Sequence, residues 1–260
     1  MSKKFALIGE NIQYSLSPKI HKAVFDYYGI DADYELIDIK QGGLENTIQK
    51  LKSLDGFNIT KPYKTEIIKY LDGLVSKDLD AVNTAVNING KWIGHNTDIY
   101  GFKKHITEIH DLKGKEVLVL GAGGVSYSVV EVLIELGAKI FIWNIIPDMA
   151  QELVNKYGIS LVADKSKKSY YAVINCTSFG LNKGEDIGQD IDFKDTVLAY
   201  DVIYFDTDFL KTARQNAVRY SDNGLKMLIY QAISADELFL NKQFDNTDKL
   251  VKIIQEELMQ

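Results

Sequence analysis

The stretch Lys115-Glu116-Val117-Leu118-Val119-Leu120-Gly121-Ala122-Gly123-Gly124-Val125-Ser126 constrains the fold more than any other part of the chain. An apolar run leads straight into glycines, and the helix-like Tyr127 to Leu136 follows. This predicts a buried parallel strand, a tight turn and a helix start. Such a turn cradles phosphate. Gly121 allows the turn, Gly123 lets the backbone approach a pyrophosphate, and the helix behind offers unpaired N–H groups and a positive dipole end. Gly121, Ala122, Gly123 and Gly124 are therefore candidate cofactor-binding residues. Ser126 stands where a dinucleotide fingerprint has its third glycine. It is small enough for close helix packing, and its hydroxyl is a further candidate phosphate donor. A strand-to-helix turn that is merely tight, with no ligand, is the alternative left open by the glycine pattern alone.

A chain of 260 residues, with that strand near its middle, predicts two domains at roughly 100–200 residues each. Hydrophobic residues at 46% and charged residues at 25% are the balance of a soluble globular protein. The net charge of -6 leaves no basic footprint for nucleic acid. The densest basic run, Lys165, Lys167 and Lys168, reads as a solvated loop face. One cysteine, Cys176, excludes an internal disulfide framework and a thiolate zinc site, so no metal is expected and a reducing cytoplasmic setting is. Met1-Ser2-Lys3-Lys4 with Phe5 to Ile8 is too short for a signal peptide, and no stretch is long enough to span a bilayer. A soluble protein with a small-molecule ligand is expected, without nucleic-acid or membrane partners; a homodimer stays open.

In the first half, Phe5 to Gly9 reads as a strand, and a helix follows with Ser17 as its N-cap and Pro18 in its first turn, ending at Gly29. Tyr34 to Ile39 reads as a strand, Leu44 to Leu51 as a helix and Gly56 to Thr60 as a third strand, an α/β layer with a largely parallel sheet. Pro62 is expected to start a helix to Leu71. Thr60 and Lys64 lie at a strand's carboxyl end, where open α/β sheets bind ligands. A solvated first-turn lysine is the plainer reading of Lys64. Ala81 to Ile88 alternates as a strand, and Asn89-Gly90 predicts a type I′ hairpin to Lys91–Gly94, expected to form an antiparallel sheet edge. Asn96, Thr97 and Asp98 precede a helix to about Ile109, and any of the three reads as its N-cap.

In the second half, Lys139 to Asn144 reads as a strand, Pro147 opens a helix, and Tyr171 to Asn175 and Val197 to Val202 are further strands, the order of a doubly wound dinucleotide domain. An acidic residue at the end of the second strand would bind the ribose 2′-hydroxyl of NAD, and an arginine the 2′-phosphate of NADP. Asn144, Ile145 and Ile146 supply neither. Thr207 to Ala217 reads as a helix, and Gly224 to Ala232 leads into two C-terminal helices. Gln231, on the first of them, reads as a polar-face residue.

Taken together, several motifs resemble the shikimate dehydrogenase family over almost the whole chain. They are Tyr14-Ser15-Leu16-Ser17-Pro18-Lys19-Ile20-His21, Asn58-Ile59-Thr60-Lys61-Pro62-Tyr63-Lys64, Ala81-Val82-Asn83-Thr84, and Gly94-His95-Asn96-Thr97-Asp98. The glycine turn follows, then Asn175-Cys176-Thr177-Ser178-Phe179-Gly180 and Met227-Leu228-Ile229-Tyr230-Gln231-Ala232. The resemblance implies an α/β substrate-binding and catalytic domain at residues 1–100, a Rossmann-type dinucleotide-binding domain at 101–230, and C-terminal helices at 231–260 that return to the first domain.

The implied activity is NADP-dependent interconversion of shikimate and 3-dehydroshikimate, a step of aromatic amino acid biosynthesis. A hydride leaves carbon only as the hydroxyl proton leaves oxygen, so a group that takes and returns a proton must touch that oxygen. By resemblance Lys64 is that group, and Asp98 holds it and binds neighbouring hydroxyls. Ser15 and Ser17 bind the substrate carboxylate. Thr60, Asn83, Asp98 and Gln231 read the ring hydroxyls, each of which costs roughly 1–3 kcal/mol if buried unpaired, and Tyr204 closes the site from the second domain. The cofactor lies along Gly121, Ala122, Gly123, Gly124 and Ser126, with Asn144, Thr177 and Gly180 nearby and Gly224 near the nicotinamide. The implied cleft between the halves closes over both ligands. Three positions depart from the family pattern: Ile145 stands where an arginine is common, Asp80 where a glycine is usual, and His95 occupies a variable position. Ile145 opens the alternatives of NAD as cofactor or a non-catalytic shikimate-binding regulator, and a quinate-accepting enzyme is an alternative that the sequence does not separate.

Overall fold

The computed structural model describes residues 2–77 and 79–259, so Met1 of the basic start lies outside the described residues. The chain divides into two units, Met1–Gly101 with Ile229–Gln260, and Phe102–Leu228.

The first unit carries β1 (Lys3–Gly9), α1 (Ser17–Tyr28), β2 (Ala32–Asp38), α2 (Leu44–Leu51), β3 (Gly56–Ile59), β4 (Gly73–Leu74), β5 (Thr84–Ile88), β6 (Lys91–His95) and the start of α3 (Thr97–Ile109). Its sheet runs β2-β1-β3-β5-β6-β4. β1 pairs in parallel with β2 and β3, whereas β3–β5 and β5–β6 are antiparallel. Phe5 to Gly9 is buried throughout, as expected of an interior parallel strand covered on both faces. One face packs Ala6, Ile8, Leu44, Leu51, Phe57 and Ile59 together. The other packs Phe5, Phe25 and Val86 against Ala235 and Phe239 of the C-terminal chain, with the Phe5 and Phe239 rings stacked at 4.7 Å. Gly56 is required there, because a Cβ would stand 2.4 Å from the Phe239 ring.

Four local expectations change. Leu16, not Ser17, is the N-cap of α1, because Ser17 is already helical and its side chain turns to Ser15. The helix expected from Pro62 is a tight turn followed by a short 3-10 helix, Glu66–Tyr70; the Lys64 carbonyl accepts from Val82 N at 2.8 Å, outside any helical ladder. The same bond holds Val82 out of the strand, so β5 begins only at Thr84. Asn89 and Gly90 do form the hairpin, at φ 54° and 82°. The hairpin is not the sheet edge, however, since the two-residue β4 adds beyond β6.

The second unit carries β7 (Glu116–Leu120), α4 (Gly124–Glu135), β8 (Lys139–Trp143), α5 (Pro147–Tyr157), β9 (Ser160–Leu161), β10 (Ala172–Asn175), β11 (Leu198–Asp201), α6 (Asp208–Gln215) and β12 (Tyr220–Asn223). The sheet order β12-β11-β10-β7-β8-β9 is parallel throughout. It reverses direction between β7 and β10, the switch point at which doubly wound sheets bind ligands. The polar β12 and the two-residue β9 have no alternation by which sequence could reveal them. Lys165 is not solvated: its side chain is 11% exposed, its Nζ donates to Ile187 O at 3.0 Å, and it lies over the Trp143 ring.

The chain then forms α7 (Leu225–Leu240) and α8 (Thr247–Met259). From Ile229 onward it belongs to the first unit. Among the described residues, no helix is long and apolar enough to cross a membrane.

Candidate active site

In the first unit, β3 ends in the turn 60–64. Tyr63 anchors this turn: it is buried, and its hydroxyl donates to the carbonyls of Ile39 and Lys40 at 3.0 and 2.7 Å. Lys64 is thereby held inward. Its Nζ donates to Asp98 Oδ2 at 2.5 Å, with side-chain exposures of 16% and 8%, so the solvated reading of Lys64 does not hold. Asn96 settles the capping of α3, since its Oδ1 accepts from Asp98 N at 3.1 Å. The Asp98 carboxylate is left for other partners.

Asn83 is the hub. Its Oδ1 accepts from Thr97 N at 2.7 Å, and its Nδ2 lies 3.0 Å from Asp98 Oδ1 and 3.1 Å from Gln231 Oε1. Gln231 is 8% exposed and therefore faces this cluster rather than solvent. A second layer continues the network. Asn58 Nδ2 donates to Thr84 Oγ1 at 3.0 Å, Thr84 Oγ1 to Asn83 Oδ1 at 3.0 Å, and the Tyr34 hydroxyl to Asn58 Oδ1 at 2.7 Å. Hydrogen bonds thus run from Tyr34 to Lys64. Ser15 Oγ lies 3.2 Å from Ser17 Oγ. Thr60 is half-buried at the end of β3, with its methyl against Gly9.

Sequence reasoning assigned no role to Asn58 or Tyr34. A polar residue between Phe57 and Ile59 in a short apolar strand was the available signal for Asn58. It also missed the buried pair His21 Nδ1 and Asp236 Oδ1, 2.7 Å apart, on which the Tyr34 ring stacks through His21 at 3.9 Å. Burial raises the Asp236 carboxyl and the Tyr34 hydroxyl above their ordinary values. At the departing positions, His95 is lowered by burial and its carbonyl accepts from Asn83 N at 3.1 Å.

In the second unit, Gly121 has φ +101°, and a Cβ there would lie 2.8 Å from Thr177 Cγ2. Gly123 is extended at the N-cap of α4, and a Cβ on it would meet nothing within 4 Å. Ala122 is buried and Gly124 opens the helix. A glycine at positive φ, an open glycine and a helix N-terminus at the switch point fit the pyrophosphate of a dinucleotide. Ser126 is fully buried and its Oγ has no access to solvent, so its contribution is packing and not donation to phosphate. Thr177 N and Oγ1 both donate to Asn175 Oδ1, and Gly180 has φ +108°. A Cβ on Gly224 would collide with Val202 O at 2.2 Å. Tyr204 is half-buried, edge-on to Phe205.

At the end of β8, Asn144 Nδ2 donates to Ile146 O at 2.8 Å, while Ile145 is 67% and Ile146 54% exposed. No cation stands at these three positions to meet a 2′-phosphate. Burial pushes the Cys176 thiol upward, away from thiolate chemistry. Among the described residues, no three His, Cys, Asp or Glu side chains converge to hold a metal ion.

Residues 7–85 match the family model described as the shikimate dehydrogenase substrate binding domain. A shikimate dehydrogenase (NADP(+)) of Aquifex aeolicus is 36% identical over 244 residues, covering 90% of both chains. The crystal structure of shikimate dehydrogenase from Aquifex aeolicus superposes with a TM-score of 0.89 at 32% identity, covering 97% of both chains. Shikimate 5-dehydrogenase from Thermus thermophilus, solved in complex with NADP(H) and shikimate, superposes with a TM-score of 0.86 at 27% identity, covering 98% of this chain and 99% of that one.

Proposed function

The chain belongs to the shikimate dehydrogenase family, and on that premise we propose that it interconverts shikimate and 3-dehydroshikimate with NADP. The observation that carries this reading is the half-buried amine of Lys64 held by Asp98 within a cluster of hydroxyl and carboxamide groups. A polyol acid needs such donors and acceptors, and an amine at the reacting oxygen can move its proton. When bound, the nicotinamide supplies the hydride acceptor or donor.

In the oxidative direction the C3–H bond breaks as hydride leaves, and the O–H proton passes to neutral Lys64. In reduction the lysine ammonium returns that proton to the new alkoxide. Asp98 orients Lys64 through Oδ2 and accepts from a ring hydroxyl. Asn83, Gln231 and Thr60 bind the remaining hydroxyls, and Ser15 and Ser17 donate to the carboxylate. Gly121, Ala122, Gly123 and Gly124 would receive the pyrophosphate, with Asn144, Thr177 and Gly180 nearby and Gly224 near the nicotinamide, while Ser126 packs α4 beneath the turn. The single buried Cys176 suits a reducing compartment such as the cytoplasm.

Purified protein given shikimate and NADP should reduce the cofactor; no turnover with either nicotinamide would overturn the proposal. Exposed Ile145 favours a second reading of the cofactor, in which NAD serves as well as NADP. Kinetics with both dinucleotides, on shikimate and on quinate, decide between them.

A further inference from the structure

At the carboxyl end of the second sheet, β10 and β11 pair Asn175 with Asp201, and both side chains are fully buried. Asn175 Nδ2 donates to both Asp201 oxygens at 3.1 Å and to Phe179 O at 3.2 Å. Its Oδ1 accepts from Thr177 N at 3.0 Å and from Thr177 Oγ1 at 2.6 Å. Asp201 Oδ1 accepts from Ile203 N at 3.0 Å, and Oδ2 from Thr207 Oγ1 at 2.7 Å. One buried pair therefore ties the loop after β10 to the loop after β11.

The loop after β10 walls the glycine turn, and the loop after β11 packs against that loop. A Cβ on Gly121 would stand 2.8 Å from Thr177 Cγ2, and one on Gly180 would stand 3.2 Å from Thr207 Cβ. With contacts this close, a shift in the loop after β10 changes the space beside the turn, and a shift in the loop after β11 reaches it through Gly180. No cation pairs with Asp201 in its hydrogen bonds; burial pushes its carboxyl up to about 6, and neutral donors alone hold the charge. The β10–β11 ladder is a backbone pairing that does not need this carboxyl, whereas both loops are tied to it by hydrogen bonds.

We infer that Asp201 is a positioning residue for the dinucleotide: through Asn175 it holds the loop beside the glycine turn, and through Thr207 the loop packed behind it, in the shape that receives the cofactor. The inference rests on the function proposed above. It extends to Tyr204, which rides on the loop that Asp201 anchors at Ile203 and Thr207.

The test uses the whole protein carrying Asp201→Asn, read first by amide hydrogen exchange without cofactor. Exchange should accelerate at Thr177, Phe179 and Ile203 while β7 and β10 stay as protected as in the parent. The NADP dissociation constant should rise by about tenfold in calorimetry. Thr207→Val should reproduce the loosening of the second loop and Thr207→Ser should restore it, a pair that carries the test if Asp201→Asn does not fold. Parent-like loop exchange with parent-like NADP affinity in the variants overturns the role. So does faster exchange across the whole unit with NADP affinity unchanged, which marks general destabilisation. A parent protein that binds neither NADP nor NAD instead overturns the functional reading, and this one with it.

Discussion

The polar cluster of the first unit and the glycine turn of the second are built by opposite means. The cluster is made of side chains from Tyr34, Asn58, Lys64, Asn83, Asp98 and Gln231, each from a different stretch of chain and each oriented by the others. The turn is made of backbone from one contiguous stretch, and its decisive property at Gly121 and Gly123 is the lack of a side chain. Side-chain chemistry suits proton transfer, where one atom must be of the right type. Backbone amides suit a pyrophosphate, whose spread charge needs several donors and little bulk.

The sharpest way to break this contrast is Lys64→Ala. The maximal rate should fall roughly a hundredfold to ten-thousandfold, with a much smaller change in shikimate affinity. A parent-like rate in single-turnover measurements would remove Lys64 from the proton path.

Next comes pH. Because burial lifts the folded Asp201 carboxyl to about 6, folding favours its protonated form. Its contribution to stability is fully present below about pH 4 and is lost as pH rises through about 6, a difference on the order of 3 kcal/mol. Burial raises its neighbours Tyr200 and Cys176, so they stay neutral across that window. Denaturation of the parent and of Asp201→Asn between these limits should differ by that slope; parallel curves would contradict it.

The backbone half is tested by two glycines. Gly121→Ala places a Cβ at φ +101° against Thr177 and should cost about 1–3 kcal/mol of stability, read from thermal unfolding. Gly123→Ala meets nothing within 4 Å, so it should leave unfolding unchanged and weaken NADP alone. Equal melting losses in both variants would erase the distinction between a fold glycine and a ligand glycine.

The smallest effect expected is at Ile145. Replacing this exposed side chain with arginine should tighten NADP about tenfold while leaving NAD unchanged, since only NADP carries a 2′-phosphate for the guanidinium to pair with. Equal gains for both cofactors would point to general charge attraction.

Much of the second unit was legible in the sequence. The run Val117 to Leu120, the glycines behind it and Pro147 at the head of α5 are local signals, and each element they announce is present. Signals failed where a distant partner decided the outcome. Pro62 predicts a helix, yet the Lys64 carbonyl is taken by Val82 N; Lys165 suggests a solvated loop, yet Trp143 and Ile187 O receive it. Asn96, Thr97 and Asp98 were equivalent as caps until the fold placed Asn83 beside two of them.

By itself, the sequence determined the α/β class, the glycine turn and the residue types on which a proton and a phosphate could act, because apolar periodicity and glycine punctuation are written over neighbouring positions. Only the tertiary structure decided which polar groups meet. Asn83 and Gln231 are 148 positions apart and His21 and Asp236 are 215 apart. Hydrogen bonds across such separations depend on strand register and helix docking, and they leave no period in the chain to read.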